Sequence, residues 1–188
     1  MIIDITQPEV PMPLVNRPAP NVTVSAWIDG DIRPYELAEA RANGAWTVLF
    51  FYPKDFTFVC PTELVGFEQH LDAFHKANAV VLGASTDTAE CHRAWVTHDP
   101  QLTGLRYPLL GDQKKELAAA FDVLDADDGI ALRGTFILDP AGTVRWMQVH
   151  DFDTGREIGE ILRVLLAMQT GGLTACAWKP GDAPLTPG

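Results

Sequence analysis

Phe50-Phe51-Tyr52-Pro53-Lys54-Asp55-Phe56-Thr57-Phe58-Val59-Cys60-Pro61-Thr62-Glu63 is the stretch on which the reading of this chain turns. The residues that lead into it, Thr47 to Tyr52, form a continuous and largely apolar run of strand length. Such a run predicts a central strand buried on both faces. Pro53 has no N–H to donate and ends that strand. A short loop follows. Beyond it, Leu64, Phe67, Leu71 and Phe74 recur at helical spacing, which predicts a helix over Thr62 to Ala77 with one apolar face. Cys60 therefore stands at or just before a first helical turn. Pro61 suits the first helical position, where a missing N–H costs nothing.

A helix start is a favourable place for a thiolate, because unpaired N–H groups and the positive end of the helix dipole stabilise an anion there. That gain is limited. A free thiol is only a few per cent thiolate at neutral pH, so full ionisation raises its reactivity roughly 30-fold, or about 2 kcal/mol. Fast chemistry at Cys60 also needs groups that orient the partner and stabilise the departing atom. Thr57, three residues earlier, can bring a hydroxyl towards the sulfur, and an arginine is expected close by.

Outward from this stretch, Val22 to Trp27 reads as a strand turned at Asp29-Gly30, and Val80 to Ser85 as a second buried strand. Thr88 to His98 reads as a helix stopped by Asp99-Pro100. A short segment at Leu109-Leu110 precedes a helix from Asp112, as its N-cap, to Phe121. Gly134 to Leu138 and Thr143 to Val149 form a strand pair across Asp139-Pro140-Ala141-Gly142. Ile158, Ile161, Leu162, Leu165 and Leu166 mark a helix over Thr154 to Gln169, ended by Gly171-Gly172. Five prolines (Pro8, Pro11, Pro13, Pro18 and Pro20) make the start an extended lead-in. This divides the chain into one domain, 1–170, and a mobile tail, 171–188, rich in Gly, Pro and Ala. The fold class is α/β: a mixed central sheet with helices on both faces, as in thioredoxin-like domains, although the element order alone fits other α/β folds.

Composition narrows the function classes. The net charge of −11 opposes binding to a phosphate backbone. No apolar segment is long enough to span a membrane, and Met1 to Val15 has no secretory pattern. Three cysteines, an odd number, point to the cytoplasm rather than to a secreted disulfide scaffold.

Pro53-x-x-x-Thr57-x-x-Cys60 resembles the peroxiredoxin active-site motif. The longer run from Phe51 to Leu64 resembles the typical 2-Cys group that includes the bacterial alkyl hydroperoxide reductase peroxidase subunit. The similarity runs from about Arg17 to Gly181. The resemblance implies a thiol-dependent peroxidase without a cofactor, acting on hydroperoxides such as hydrogen peroxide and organic hydroperoxides in antioxidant defence. It places Arg133 beside Cys60 and matches Glu63 and Arg156 to supporting family residues, with Trp95 near the pocket wall. Cys60 would attack the terminal peroxide oxygen and become a sulfenic acid. A resolving cysteine from a partner subunit would then form a disulfide with it. A dithiol reductant, thioredoxin or a dedicated disulfide reductase, would reopen the bond. Homodimers joining into decamers are implied as well.

The chain departs from the family in its tail. Thr174 occupies the usual place of the resolving cysteine, and Cys176 lies two residues later. Some family members carry cysteines at both places, so Cys176 is the expected resolving residue. Thr103 to Arg106 stands where over-oxidation-sensitive members carry a Gly-Gly-Leu-Gly insertion, and their Tyr-Phe tail helix is absent, which implies a robust enzyme.

Thioredoxin-type disulfide exchange would need a second cysteine where Glu63 stands. A ring-shaped holdase or a peroxide-signalling module is the rival from another class. Trp95 reads as packing more than chemistry, and Glu63 and Arg156 are also compatible with a plain ion pair. Cys91 reads as a small packing residue. The five histidines show no metal-ligand spacing and read as surface or helix residues. Asp125 to Asp128 reads as a solvated acidic loop.

Overall fold

The computed structural model describes residues 13–186. Pro8 and Pro11 of the proline-rich lead-in fall outside the described residues. The elements run β1 (Thr23–Ile28), β2 (Asp31–Glu36), a 3-10 stretch (Leu37–Gly44), β3 (Trp46–Phe51), α1 (Cys60–Lys76), β4 (Ala79–Ser85), α2 (Ala89–His98), β5 (Leu109–Gly111), α3 (Glu116–Ala120), β6 (Leu124–Asp125), β7 (Ile130–Ala131), β8 (Arg133–Leu138), β9 (Val144–His150) and α4 (Ile158–Gln169).

Seven strands form one mixed sheet in the order β2-β1-β5-β4-β3-β8-β9, and β6 and β7 pair separately. Strand β3 is central, parallel to β4 and antiparallel to β8. Its side chains alternate between the two faces, as a strand requires. Val48 and Phe50 pack with Leu64, Phe67, Leu71 and Phe74 of α1, Trp95 of α2 and Ile161 and Leu165 of α4. Leu49 and Phe51 pack on the other face with Leu117 and Ala118 of α3 and Leu37 of the 3-10 stretch. Helices therefore cover both faces, as the element order predicts. Phe50 and Phe67 stack at a centroid distance of 4.0 Å. Burying a ring of that size stabilises the fold by about 1.5–3 kcal/mol. At Gly111 a Cβ would lie 2.5 Å from the backbone N of Ala89, so only glycine lets β5 run against the start of α2.

Several boundaries differ from the sequence expectation. Helix α1 starts at Cys60, two residues early, and Pro61 is its second residue rather than its first. Regular helix in α3 begins only at Glu116, because Lys115 adopts a left-handed conformation (φ +63°). Asp112 still caps this helix from a distance: its carboxylate accepts the N–H groups of Leu117 (3.0 Å) and Ala118 (2.7 Å). Helix α4 starts at Ile158 rather than Thr154, since the Arg156 N–H is drawn to the Glu63 carboxylate at 3.1 Å. Strand β2 and the β6–β7 pair are additions. The described part of the lead-in is tied to β9: Asn16 N–H donates to the Val144 carbonyl and Val144 N–H to the Arg17 carbonyl.

After α4 the chain turns back on itself. Leu185 N–H donates to the Leu173 carbonyl at 2.7 Å. Trp178 is buried, and its carbonyl accepts a hydrogen bond from Arg163 Nη1 at 3.0 Å. No helix among the described residues is long and apolar enough to cross a membrane.

Candidate active site

Strand β3 delivers the chain to the sheet edge, where Tyr52 and Pro53 are still buried. The loop then climbs outward, with Phe56 at 61% exposure and Phe58 at 99%. It returns at Val59 and places Cys60 as the first residue of α1, fully buried. The sulfur thus lies at the positive end of a 17-residue helix.

Arg133, the first residue of β8, reaches this sulfur from the neighbouring strand. Its Nη1 lies 3.6 Å from Cys60 Sγ. The same nitrogen donates to Glu63 Oε2 at 2.5 Å, and Nε donates to the Phe152 carbonyl at 2.8 Å. Three acceptors in fixed directions orient the guanidinium plane, which suits the rigid fork of arginine. Glu63 sits one turn below Cys60 and is itself buried. Its Oε2 also pairs with Arg156 Nη1 at 3.5 Å, and Arg156 Nη2 donates to the Phe51 carbonyl. Arg156 further lies over the Phe50 ring, 5.4 Å from its centroid. Burial pulls the Arg156 guanidinium down to about 10, opposed by the Glu63 carboxylate and lowered further by Arg133. It remains a cation at neutral pH.

Two cations and one anion therefore surround a sulfur without direct solvent contact. The group carries one positive charge with Cys60 as a thiol and none with Cys60 as a thiolate.

Of the sequence candidates, Arg133 contacts Cys60, and Glu63 and Arg156 join it through the ion pairs of Glu63 with both arginines. Pro53 is buried where β3 gives way to the loop. The Thr57 hydroxyl donates to the Lys54 carbonyl at 3.3 Å and makes no hydrogen bond to the sulfur. Trp95 is buried, with its indole N–H on Asp99 and its ring 5.8 Å from that of Phe56. It packs behind the loop. Cys176 is exposed on the returning tail, and all three thiols are free.

Of the five histidines, read as surface or helix residues, one on α2 turns wholly inward. His92 is wholly buried and contacts Asp55, Tyr52 and the Leu110 carbonyl. Its place was legible in the helical spacing of Ala89, His92 and Trp95, which share the inward face of α2. Among the described residues, Asp55, Asp87 and Cys91 place potential ligand atoms within 4.8 Å of one another. Those atoms are engaged with Tyr52, His92, Ser85 and each other.

The AhpC/TSA family matches residues 15–147. The Bacillus subtilis protein YkuU is 42% identical over 176 residues, covering 92% of this chain and 98% of that one. The mitochondrial thioredoxin-dependent peroxide reductase of Drosophila melanogaster is 41% identical over 179 residues, 92% of this chain and 76% of that one. The reduced 2-Cys peroxiredoxin of Plasmodium vivax superposes with a TM-score of 0.87 at 31% identity, covering 93% of each chain. The chain belongs to the AhpC/TSA family and is a peroxiredoxin, a thiol-dependent peroxidase.

Proposed function

We propose that Cys60 is the peroxidatic residue of a typical 2-Cys enzyme that reduces hydrogen peroxide and organic hydroperoxides in the cytoplasm. The observation that carries this reading is the Arg133 guanidinium, 3.6 Å from Cys60 Sγ and locked by Glu63. The thiolate attacks the terminal oxygen of R–O–OH. An S–O bond forms as the O–O bond breaks, and the electron pair leaves on RO⁻, which then takes a proton. Charge moves from sulfur to the departing oxygen. Arg133 carries donors suited to both, so its stabilisation follows the charge through the transition state. Arg156 supplies the second positive charge, and Glu63 holds both guanidinium groups in place. Pro53 closes the inner side of the loop, Thr57 lies within it with its hydroxyl on the Lys54 carbonyl, and Trp95 supports the loop from behind.

The sulfenic acid on Cys60 then condenses with the Cys176 thiol of a second subunit, releasing water and forming a disulfide. The exposure of Cys176 on a turned-back tail suits this step, while the burial of Cys60 requires the start of α1 to unwind and the tail to detach. A dithiol such as thioredoxin reduces the bond by exchange. A homodimer, joining into a ring of ten, provides the second subunit.

The test is a non-reducing gel after one equivalent of hydrogen peroxide. A band of twice the chain mass is expected in wild type and in Cys91→Ser, and is expected to vanish in Cys60→Ser and Cys176→Ser. A band that survives in Cys176→Ser removes Cys176 from the cycle, and undiminished peroxide consumption by Cys60→Ser removes the whole reading.

A further inference from the structure

The loop that carries Cys60 is held from its other side by a second buried polar group, remote from the arginines. Asp55 lies five residues before Cys60, and its side chain is almost wholly buried. Tyr52 OH donates to its Oδ1 at 2.9 Å, and His92 Nδ1 lies 2.8 Å from its Oδ2. His92 Nε2 faces the Leu110 carbonyl at 3.2 Å, so each ring nitrogen has an oxygen acceptor. The Asp55 backbone N–H donates to Asp87 Oδ2 at 2.8 Å, and the same oxygen accepts from Ser85 Oγ at 2.7 Å. One loop residue is thereby tied to Tyr52 just past β3, to His92 of α2 and through it to β5, and through Asp87 to the end of β4. Breaking these ties would leave buried donors and acceptors unpaired.

Beyond Asp55 the fastening stops. Phe56 takes a left-handed conformation (φ +55°), and Phe56 and Phe58 project into solvent. The Thr57 hydroxyl bonds only within the loop. The loop consists of a pinned stem, 53–55, and a loosely held crown, 56–59, that runs into the first turn of α1.

The geometry points to Asp55 and His92 as positioning residues that set the hinge at Phe56: the pin keeps the closed loop populated, with Cys60 against Arg133, and confines unwinding to the crown when Cys60 leaves for its partner sulfur. This rests on the peroxidase cycle proposed above and adds a device that partitions it. The peroxide step needs the closed loop and the disulfide step needs the open one. Weakening the pin moves the two rates in opposite directions, because each scales with the population of its competent state.

The experiment measures both steps by stopped-flow tryptophan fluorescence, with Trp95 against Phe56 as reporter. His92→Phe fills the ring's space without its nitrogens. It is expected to lower the second-order constant with hydrogen peroxide by about tenfold and to raise the first-order disulfide constant severalfold. His92→Asn keeps a donor towards Asp55 and is expected to restore most of both. Tyr52→Phe removes one tie and is expected to shift both constants in the same opposed directions, by less. It decides the matter if His92→Phe does not fold. Constants that fall together, or that stay unchanged while only the melting temperature drops, overturn the hinge. Failure of wild type to react with peroxide would count against the peroxidase cycle instead, so the two failures are distinguishable.

Discussion

Replacing Arg133 separates the contribution of charge from that of position. Its Nη1 lies 3.6 Å from the sulfur, and the residue is 3% exposed. At an effective dielectric near 20, two unit charges at that separation interact by about 4–5 kcal/mol, against about 1 kcal/mol in bulk water. Part of this is already present in the thiolate ground state. The share that follows charge onto the departing oxygen is comparable to a well-placed oxyanion donor, about 3–4 kcal/mol or 10²–10³ in rate. Arg133→Gln is expected to lose that factor in the second-order constant for hydrogen peroxide, measured by stopped-flow fluorescence. The variant also leaves Glu63 buried with Arg156 alone, and breaking a buried pair costs about 3–5 kcal/mol of stability. The double variant Arg133→Gln/Glu63→Gln removes that complication. It carries the same single positive charge around the thiol as wild type, from Arg156 alone. If summed charge were the cause, its rate would match wild type. If contact is the cause, its stability recovers and its rate does not. Arg133→Lys keeps the charge but cannot reach the sulfur, Glu63 and the Phe152 carbonyl together, so a loss of about 10–100-fold is expected. A peroxide constant within threefold of wild type in Arg133→Gln would refute the reasoning.

Three further outcomes follow from other parts of the fold. Burial, with the Asp55 and Asp87 carboxylates adding to it, pushes the Cys91 thiol up to about 12; iodoacetamide at pH 8 is therefore expected to label Cys176 quickly and Cys91 only after denaturation, read by peptide mass spectrometry. Trp178→Ala removes the buried anchor of the tail and is expected to speed protease cleavage after residue 172 with little change in the melting temperature of the domain. Burial raises the Asp112 carboxyl above its ordinary value, although the Ala118 and Leu117 N–H groups pull it down. A raised folded value means that its favourable contribution is full below the unfolded carboxyl range and fades as pH rises through the folded value. Denaturant titrations from pH 3 to 7 should thus show wild type losing stability relative to Asp112→Asn as pH increases above about 4.

Much of this molecule can be read from local pattern. The apolar run at β3, the spacing of Leu64, Phe67, Leu71 and Phe74, and the turn at Asp139 to Gly142 are local signals, so these elements are legible to within about two residues of their bounds. Cys60 at a helix start was legible for the same reason, since a proline and a strand end bracket it. Local pattern puts His92 on the inward face of α2 but does not say which groups of β5 and the loop it meets, and it misjudged the start of α3, where one left-handed residue interrupts the backbone.

What the sequence determined alone is therefore the order of the main elements, without β2, β6 and β7, together with the two-sided central strand and the place of the reactive sulfur, because these depend on neighbours within a few positions. Only the tertiary structure decided which groups meet that sulfur. Arg133 is 73 residues away from Cys60, and Arg156 is 93 residues from Glu63. Their meeting depends on β8 pairing with β3 and on the β8–β9 turn bringing the chain back across the end of α1, contacts made across the whole chain that no short window of sequence encodes.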